Sequence, residues 1–407
     1  MNIPTLGETL VASYFTLYRP EAAAPLHAWR PYLSWCRVVD ESLPPRNLQR
    51  ILPPAFRESL QAEIGGRRNL APTHPFSLDS DLVTPAWMQL CERVRTCPSL
   101  SLQQRARVLG LLLSLGYFQL VLKLGRMPDS TELAADRDAA SIAGSIAASS
   151  LILALEGLQP FSLEGFKKIA THVPRGSIVR FDALMNLVVQ YGKSTYDVSA
   201  AQSWREEAHR ELDAQLALHG TDSFNGHLLA SRFYRGASYV PFLLGQREAV
   251  MREMELCEQH ARAMVPRDEI DELIWRENML PVLQSRSKEA RWIGDLELAH
   301  ERLAEGCSID PSDPVRWIEL GEVRLDLGHY EDAEDCYSRA AAFAPPGAAL
   351  SSYMVGECER LQGHEAMACL YYQRALSIDP LCSSALRQLC ALAPVSGLAA
   401  LVETHAA

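Results

Sequence analysis

The stretch "GHYEDAEDCYSRAAAFAP", residues 328–345, decides the architecture of this chain. A glycine is followed by an aromatic two residues on, then by alanines and a second aromatic at helical spacing, then by proline. Gly328, Ala333, Tyr337, Ala340, Phe343 and Pro345 recur 35 residues later as Gly363, Ala368, Tyr372, Ala375, Ile378 and Pro380. They recur 34 residues earlier as Gly294, Ala299, Leu303, Gly306, Ile309 and Pro311. A period in the thirties marks a stacked supersecondary unit. Gly328 supplies the permissive backbone of a tight turn after a first helix. Ala333, Tyr337 and Ala340 follow the i, i+4, i+7 stripe of a second helix, whose alanines let helices approach closely. Pro345 ends it, because the residue before a proline is driven out of helical geometry. "WIELG", 317–321, supplies the first helix, with Trp317 expected as its large buried knob.

These positions resemble the tetratricopeptide repeat (TPR). Trp317, Leu320, Gly321, Ala333, Tyr337, Ala340 and Pro345 fit the family pattern, and Arg324 stands where the family prefers an aromatic. The copy at about 280–313 keeps its second helix but has "RSK" in place of Leu-Gly. The copy at about 349–382 keeps Gly356 and carries Ser352 instead of Trp, and a half repeat from Ser383, with Leu386 and Leu389, reads as a cap. The resemblance implies an all-α, right-handed superhelix of helix pairs whose first helices line a concave groove for an extended or helical peptide. Carried onto this chain, the groove positions are Gln284, Lys288, Arg291, Ile318, Glu322, Tyr353, Glu357 and Arg360. The family's Lys/Asn clamp for a C-terminal carboxylate is not reproduced, since Glu322 and Glu357 stand where it would want basic or amide groups. The implied groove is basic at its N-terminal side and acidic further on.

Upstream, helical periodicity predicts helices over about 47–64, 85–97, 101–124, 138–157, 176–192, 202–219, 226–244 and 247–264. Turn and cap chemistry separates them, as in "GRMPDST", "LQPFS" and "HGTDSFNG". No convincing run of alternating strands appears. The expected fold is all-α: an irregular helical N-terminal domain at 1–195, degenerate helical hairpins at 196–279 and TPR-like repeats with a C-terminal cap at 280–407. Trp29, Tyr32 and Trp35 are expected to pack on the part of the chain downstream of them. Residues 139–155 carry no charge, but the run is short for a membrane span and holds four serines, so a buried helix is expected.

Composition narrows the function. The 407 residues carry 39 basic and 50 acidic side chains, a formal charge of −11, with no run of lysines or arginines. Nucleic-acid binding needs clustered cations, so it is not expected, and neither is a membrane. The ten cysteines show no CxxC spacing, which predicts reduced thiols and a cytoplasmic protein. The N-terminal "MNIPTLGETLVASYF" lacks the basic segment of a signal peptide.

Nucleotide, zincin and hydrolase motifs are absent. Two Glu-x-x-His pairs, Glu206/His209 and Glu297/His300, have the spacing by which helices present two ligands to a metal. Glu297 and His300 flank the buried Ala299, which turns both outward, and no metal or cofactor is expected. In "NGHLLASRFYRGASYVPF", 225–242, Arg232 and Arg235 lie close to Tyr234 and Tyr239 on one helix. They either hold a carboxylate or peptide, or pair with the acidic "DEIDE" at 268–272. The expected function is an interaction scaffold or adaptor for a protein or peptide partner. Arg232, Arg235, Lys288 and Arg291 would form a basic entrance for an acidic segment or C-terminal carboxylate. The second reading is a helical enzyme or accessory biosynthetic subunit whose repeats recruit a peptide or carrier-bound substrate. The balance leans away from catalysis.

Overall fold

The computed structural model describes residues 93–396, apart from 116–117, 156–158, 268, 312–313, 343–346 and 380–381. The helix expected over about 47–64, the early tryptophans, Phe343, Pro345 and Pro380 lie outside the described residues. Helices account for nearly all of the rest, and there is no strand among the described residues. These residues fall into two compact units divided between Glu289 and Ala290.

The first unit begins with α1 (Leu102–Leu115), α2 (Phe118–Leu124), α3 (Ser130–Ala135), α4 (Arg137–Leu155) and α5 (Glu164–His172). It continues with α6 (Ile178–Lys193), α7 (Val198–His219), α8 (Phe224–Ala237), α9 (Tyr239–Leu243) and α10 (Arg247–Ala263). Most of α11 (Glu269–Ile293) also belongs to it. Two of these helices escape the periodicity. α3 starts inside "GRMPDST", a stretch expected to be a break, and a capping box starts it: Asp129 accepts from the Glu132 amide at 2.9 Å while Glu132 accepts from the Asp129 amide at 2.7 Å. α5 comes after the break at "LQPFS", and its nine residues are too few for a clear pattern. Every described residue of the helix expected over 101–124 is helical from Leu102 on, as α1 and α2, with 116–117 outside the described residues.

α4 is the uncharged stretch. It is long and apolar enough to cross a membrane by length and composition, yet its alanines and leucines face a core. Ala140, Ala143, Ala147 and Leu151 pack there with Phe166 of α5 and Phe181 and Leu184 of α6. Beside that core lies a buried ion network. Arg180 of α6 pairs with Glu211 and, at 2.6 Å, with Glu207, both on α7. The Arg180 Nε also donates to the Ala170 carbonyl at 3.0 Å, and Glu211 accepts from the Gly176 amide at 2.7 Å. One turn of α7 and the 173–177 connection are thereby tied to α6.

The second unit, from Ala290, holds the end of α11, then α12 (Leu296–Ile309), α13 (Pro314–Asp326), α14 (Tyr330–Ala341), α15 (Gly347–Leu361), α16 (Glu365–Ile378) and α17 (Ser383–Ser396). From α12 onward each helix packs on the next in chain order, and α13 also meets α15, the first helix of the following pair. This is the connectivity of a helical-repeat solenoid.

The repeated glycines do two different jobs. Gly294, Gly328 and Gly363 have φ of +86°, +78° and +85°, with open space around each. The residue after each one donates its amide to the carbonyl five positions back: Asp295 to Ala290, His329 to Arg324 and His364 to Glu359, at 2.8–2.9 Å. Three identical helix ends close by the same αL cap. Gly321 and Gly356 sit mid-helix for another reason. A Cβ on Gly321 would lie 2.8 Å from the Tyr337 ring, and one on Gly356 would lie 2.6 Å from Tyr372. Each tyrosine is fully buried on top of its glycine.

Trp317 is not the buried knob expected of it. It is half-buried between two small clusters, its Nε1–H donates to the Pro311 carbonyl at 2.9 Å, and the Arg339 guanidinium lies 4.8 Å above its ring. The indole straddles the surface because one end needs a polar partner. Arg324, in the family's aromatic position, donates to the Asp332 carbonyl at 3.1 Å and reaches Cys336 Sγ at 3.2 Å, joining α13 to α14 through polar contacts.

Candidate protein-interaction face

The first helices of successive hairpins in the second unit, α13 and α15, present side chains at matching positions. Ile318 matches Tyr353, Glu322 matches Glu357, and Leu325 matches Arg360. Ile318 is buried in the cluster around Tyr337 and is not a lining residue. The other two positions are half-exposed and polar or mixed.

The two glutamates are used differently. Glu357 accepts from the Tyr372 hydroxyl at 2.5 Å and from Arg360, three residues on, at 2.9 Å. Glu322 has Leu325 at that following position and so no arginine three residues on. Its partner is Arg291, at the end of α11, at 3.4 Å, and Arg291 also pairs with Asp326 at 2.8 Å. Burial pushes the Glu322 carboxyl above its ordinary value, with Arg291 opposing and Glu319 and Asp326 adding to the rise. The Tyr337 hydroxyl, equivalent to the one that Glu357 accepts from, is buried with no hydrogen-bond partner. Burial pushes both the Tyr337 and Tyr372 phenols well up, so each stays protonated. Tyr353 is half-buried, its ring centre 5.7 Å from that of Tyr372, and Gln388 of α17 reaches its phenol.

Gln284, Lys288 and Arg291 share one stripe of α11 at i, i+4 and i+7. Gln284 is half-buried, whereas Lys288 is exposed. Arg232 and Arg235 lie on α8. Arg232 stands 4.0 Å from Asp182 of α6, with its side chain only 18% exposed. Arg235 is half-buried and acts on Cys257, whose thiol burial pushes up to about 11 against the pull of Arg235. Of the acidic stretch suggested for these arginines, Asp271 pairs with Arg267 at 2.7 Å and Glu272 with Arg276 at 2.8 Å.

The two Glu-x-x-His pairs point to separate surroundings. His209 lies against the edge of Phe233 and 3.4 Å from Asp213, with Glu206 exposed. Glu297 is exposed, but His300 is half-buried and not turned fully outward, and its Nε2 accepts from Arg324 at 3.4 Å. A guanidinium there opposes a cation. Sequence reasoning missed Asp326 and Gln388. Asp326 lies four residues after Glu322 on the same helix, which is the signal that could have marked it.

No protein-family model and no curated protein matches the chain. Among solved structures, it aligns with YrrB, described as a TPR protein with an unusual peptide-binding site. That match has 16% identity, a TM-score of 0.36, and covers 56% of this chain and 98% of YrrB. The apo form of RapI aligns at 11% identity and a TM-score of 0.49, covering 78% of this chain and 85% of that one. A human IFIT1 dimer with PPP-AAAA aligns at 12% and 0.47, covering 98% and 88%. Likeness this loose adds no weight of its own, so the assignment rests on the αL caps, the tyrosine-on-glycine contacts and the order of packing. By those marks the described chain from Ala290 to Ser396 is a TPR-like array of helical hairpins.

Proposed function

We propose that the protein is a TPR-type interaction scaffold or adaptor that binds a protein or peptide partner on its first-helix face. Arg291, Glu322, Tyr353, Glu357 and Arg360 line that face, and Gln284 and Lys288 extend it along α11. The observation that carries this reading is the repetition itself. A glutamate that is not fully buried recurs at the same position of α13 and α15, Glu322 and Glu357, and each is followed by a buried residue, Val323 and Cys358. Such a face offers a partner regularly spaced contacts on a rigid frame.

The partner in this reading carries an acidic segment or a C-terminal carboxylate. Lys288 is exposed, and the Glu322 and Asp326 side chains that hold Arg291 are 47% and 44% exposed. Pairs so open to water are worth little, so an incoming carboxylate competes with them on favourable terms. Lys288 and Arg291 would act mainly by steering encounter rather than adding much affinity. None of the described cysteines is in a disulfide, which supports a reducing, cytoplasmic setting, and the acidic balance of the chain speaks against nucleic acid and anionic membranes as partners.

The test is a titration of the co-purified partner against wild type and a Lys288→Glu/Arg291→Glu variant at two salt concentrations. The reading expects weaker binding for the variant, with its fold intact, and a wild-type complex that weakens as salt rises. Unchanged affinity in both comparisons would move the binding surface off this face.

A further inference from the structure

The contact between α8 and α10 contains an arrangement that the proposed function does not use. His227 Nδ1 and His260 Nδ1 face each other at 3.0 Å, with ring centres 5.3 Å apart. The His260 ring also stacks on Tyr234, nearly parallel at 9°. One turn further along, Ser231 meets Cys257 at 3.6 Å and accepts from Asn278 of α11 at 3.0 Å.

Two imidazole nitrogens at this distance must share one hydrogen: one ring donates and the other accepts. The arrangement tolerates a first added proton, because it can enter at the donor ring's far nitrogen and leave the shared bond in place. A second proton puts a hydrogen on both facing nitrogens. The bond is then lost and two cations stand in contact. The surroundings offer no relief, since neither ring has a carboxylate partner among the described residues. The neighbouring charged groups are engaged otherwise: Arg232 with Asp182 of α6, and His209 of α7 with Asp213. Glu258 of α10 is held by Arg262 and Arg286, Arg267 by Asp271, and Glu272 of α11 by Arg276. α9 carries no group of charge at neutral pH.

We propose that His227 and His260 form a proton-sensitive clasp between α8 and α10, closed while at least one ring is neutral and opened when both are protonated. Burial, and then the neighbouring His227, hold the His260 ring below its ordinary value. With its folded value lowered, the unfolded or opened state binds more protons. The closure is therefore complete above about pH 6.5 and is lost progressively as pH falls below it.

The experiment uses the full chain with histidine labelled in its ring nitrogens. The clasp predicts that the pair takes up protons in two steps separated by more than about one pH unit, the lower step below the ordinary range. Amide exchange in α8 and α10, corrected for its intrinsic pH dependence, should quicken severalfold between about pH 7.5 and 5.5, as the opened state takes up the second proton. In His260→Asn, which keeps a hydrogen-bonding group without the second charge, that quickening should disappear. Independent single-step titrations near the ordinary value would overturn the proposal, as would an equal quickening in wild type and His260→Asn. The wild-type titration decides the matter even if the variant folds poorly.

Discussion

The two units of this protein are both helical, yet they solve the problem of joining helices in opposite ways. From Ala290 onward the joints share a repeated contact: an aromatic ring lies on a glycine in α13 and α15, and a left-handed glycine closes each first helix. In the unit that precedes it, an arginine and two glutamates are buried together between α6 and α7, with no repeat period to place them. A repeated joint announces itself in the sequence by its period. A single buried ion pair does not, because Arg180 and Glu211 are 31 residues apart with nothing to link them until the chain folds.

The largest expected effect lies in that ion network. Arg180→Met leaves Glu211 and Glu207 buried without their main partner, and should cost about 3–5 kcal/mol in a denaturant titration. A loss under about 1 kcal/mol would show that the two units are held by the same kind of joint after all.

The network also has a pH signature. Burial pushes Glu207 up, but Arg180 and Arg210 bond to its carboxylate and Arg175 adds its charge, holding it down to about 2. Its folded value is depressed below the ordinary 4.5, so the stability it contributes is fully present above about pH 4.5 and is lost as pH falls towards 2. Melting temperatures across that window should fall more steeply for wild type than for Glu207→Gln. Parallel curves would mean that the network does not titrate with folding.

Next in size is the contrast between the two kinds of glycine in the array. Gly356→Ala forces a methyl against the buried Tyr372 ring and should cost about 1–3 kcal/mol or more. Gly328→Ala meets no atom and has only its positive φ against it, so its cost should stay near about 1 kcal/mol. The reverse order in thermal melts would exchange the roles assigned to them.

A further contrast separates two tyrosines that the sequence treats as copies. Tyr372→Phe removes a hydroxyl donated to Glu357 and should cost about 1.5–3 kcal/mol, the range for a bond to a charged group. Tyr337→Phe removes a buried hydroxyl with no partner and should be neutral or slightly stabilising. Equal losses for both would mean that Tyr337 has an acceptor too.

Much of the array was legible because its period is enforced by geometry. Gly328, Tyr337 and their copies each satisfy one steric demand, and that demand returns every 34 or 35 residues. What the period could not reveal was how polar atoms choose partners. Leu325 in place of an arginine sends Glu322 to Arg291, and a polar indole nitrogen with an arginine overhead keeps Trp317 at the surface. Such choices depend on one neighbour at a time. In the preceding unit, α3 and α5 were missed because helices of six and nine residues hold too few turns to show a stripe. Arg232 stands beside Asp182, a residue on a helix that the sequence does not place next to it.

The central functional claim is that the first-helix face of the array receives the partner. It is tested most directly by placing a photo-crosslinking amino acid at position 322 of α13 in one variant and at exposed Ser338 of α14 in another. Each is then irradiated with the co-purified partner. The account predicts a crosslink to the partner from position 322 and none from position 338. A crosslink from position 338 alone would contradict it.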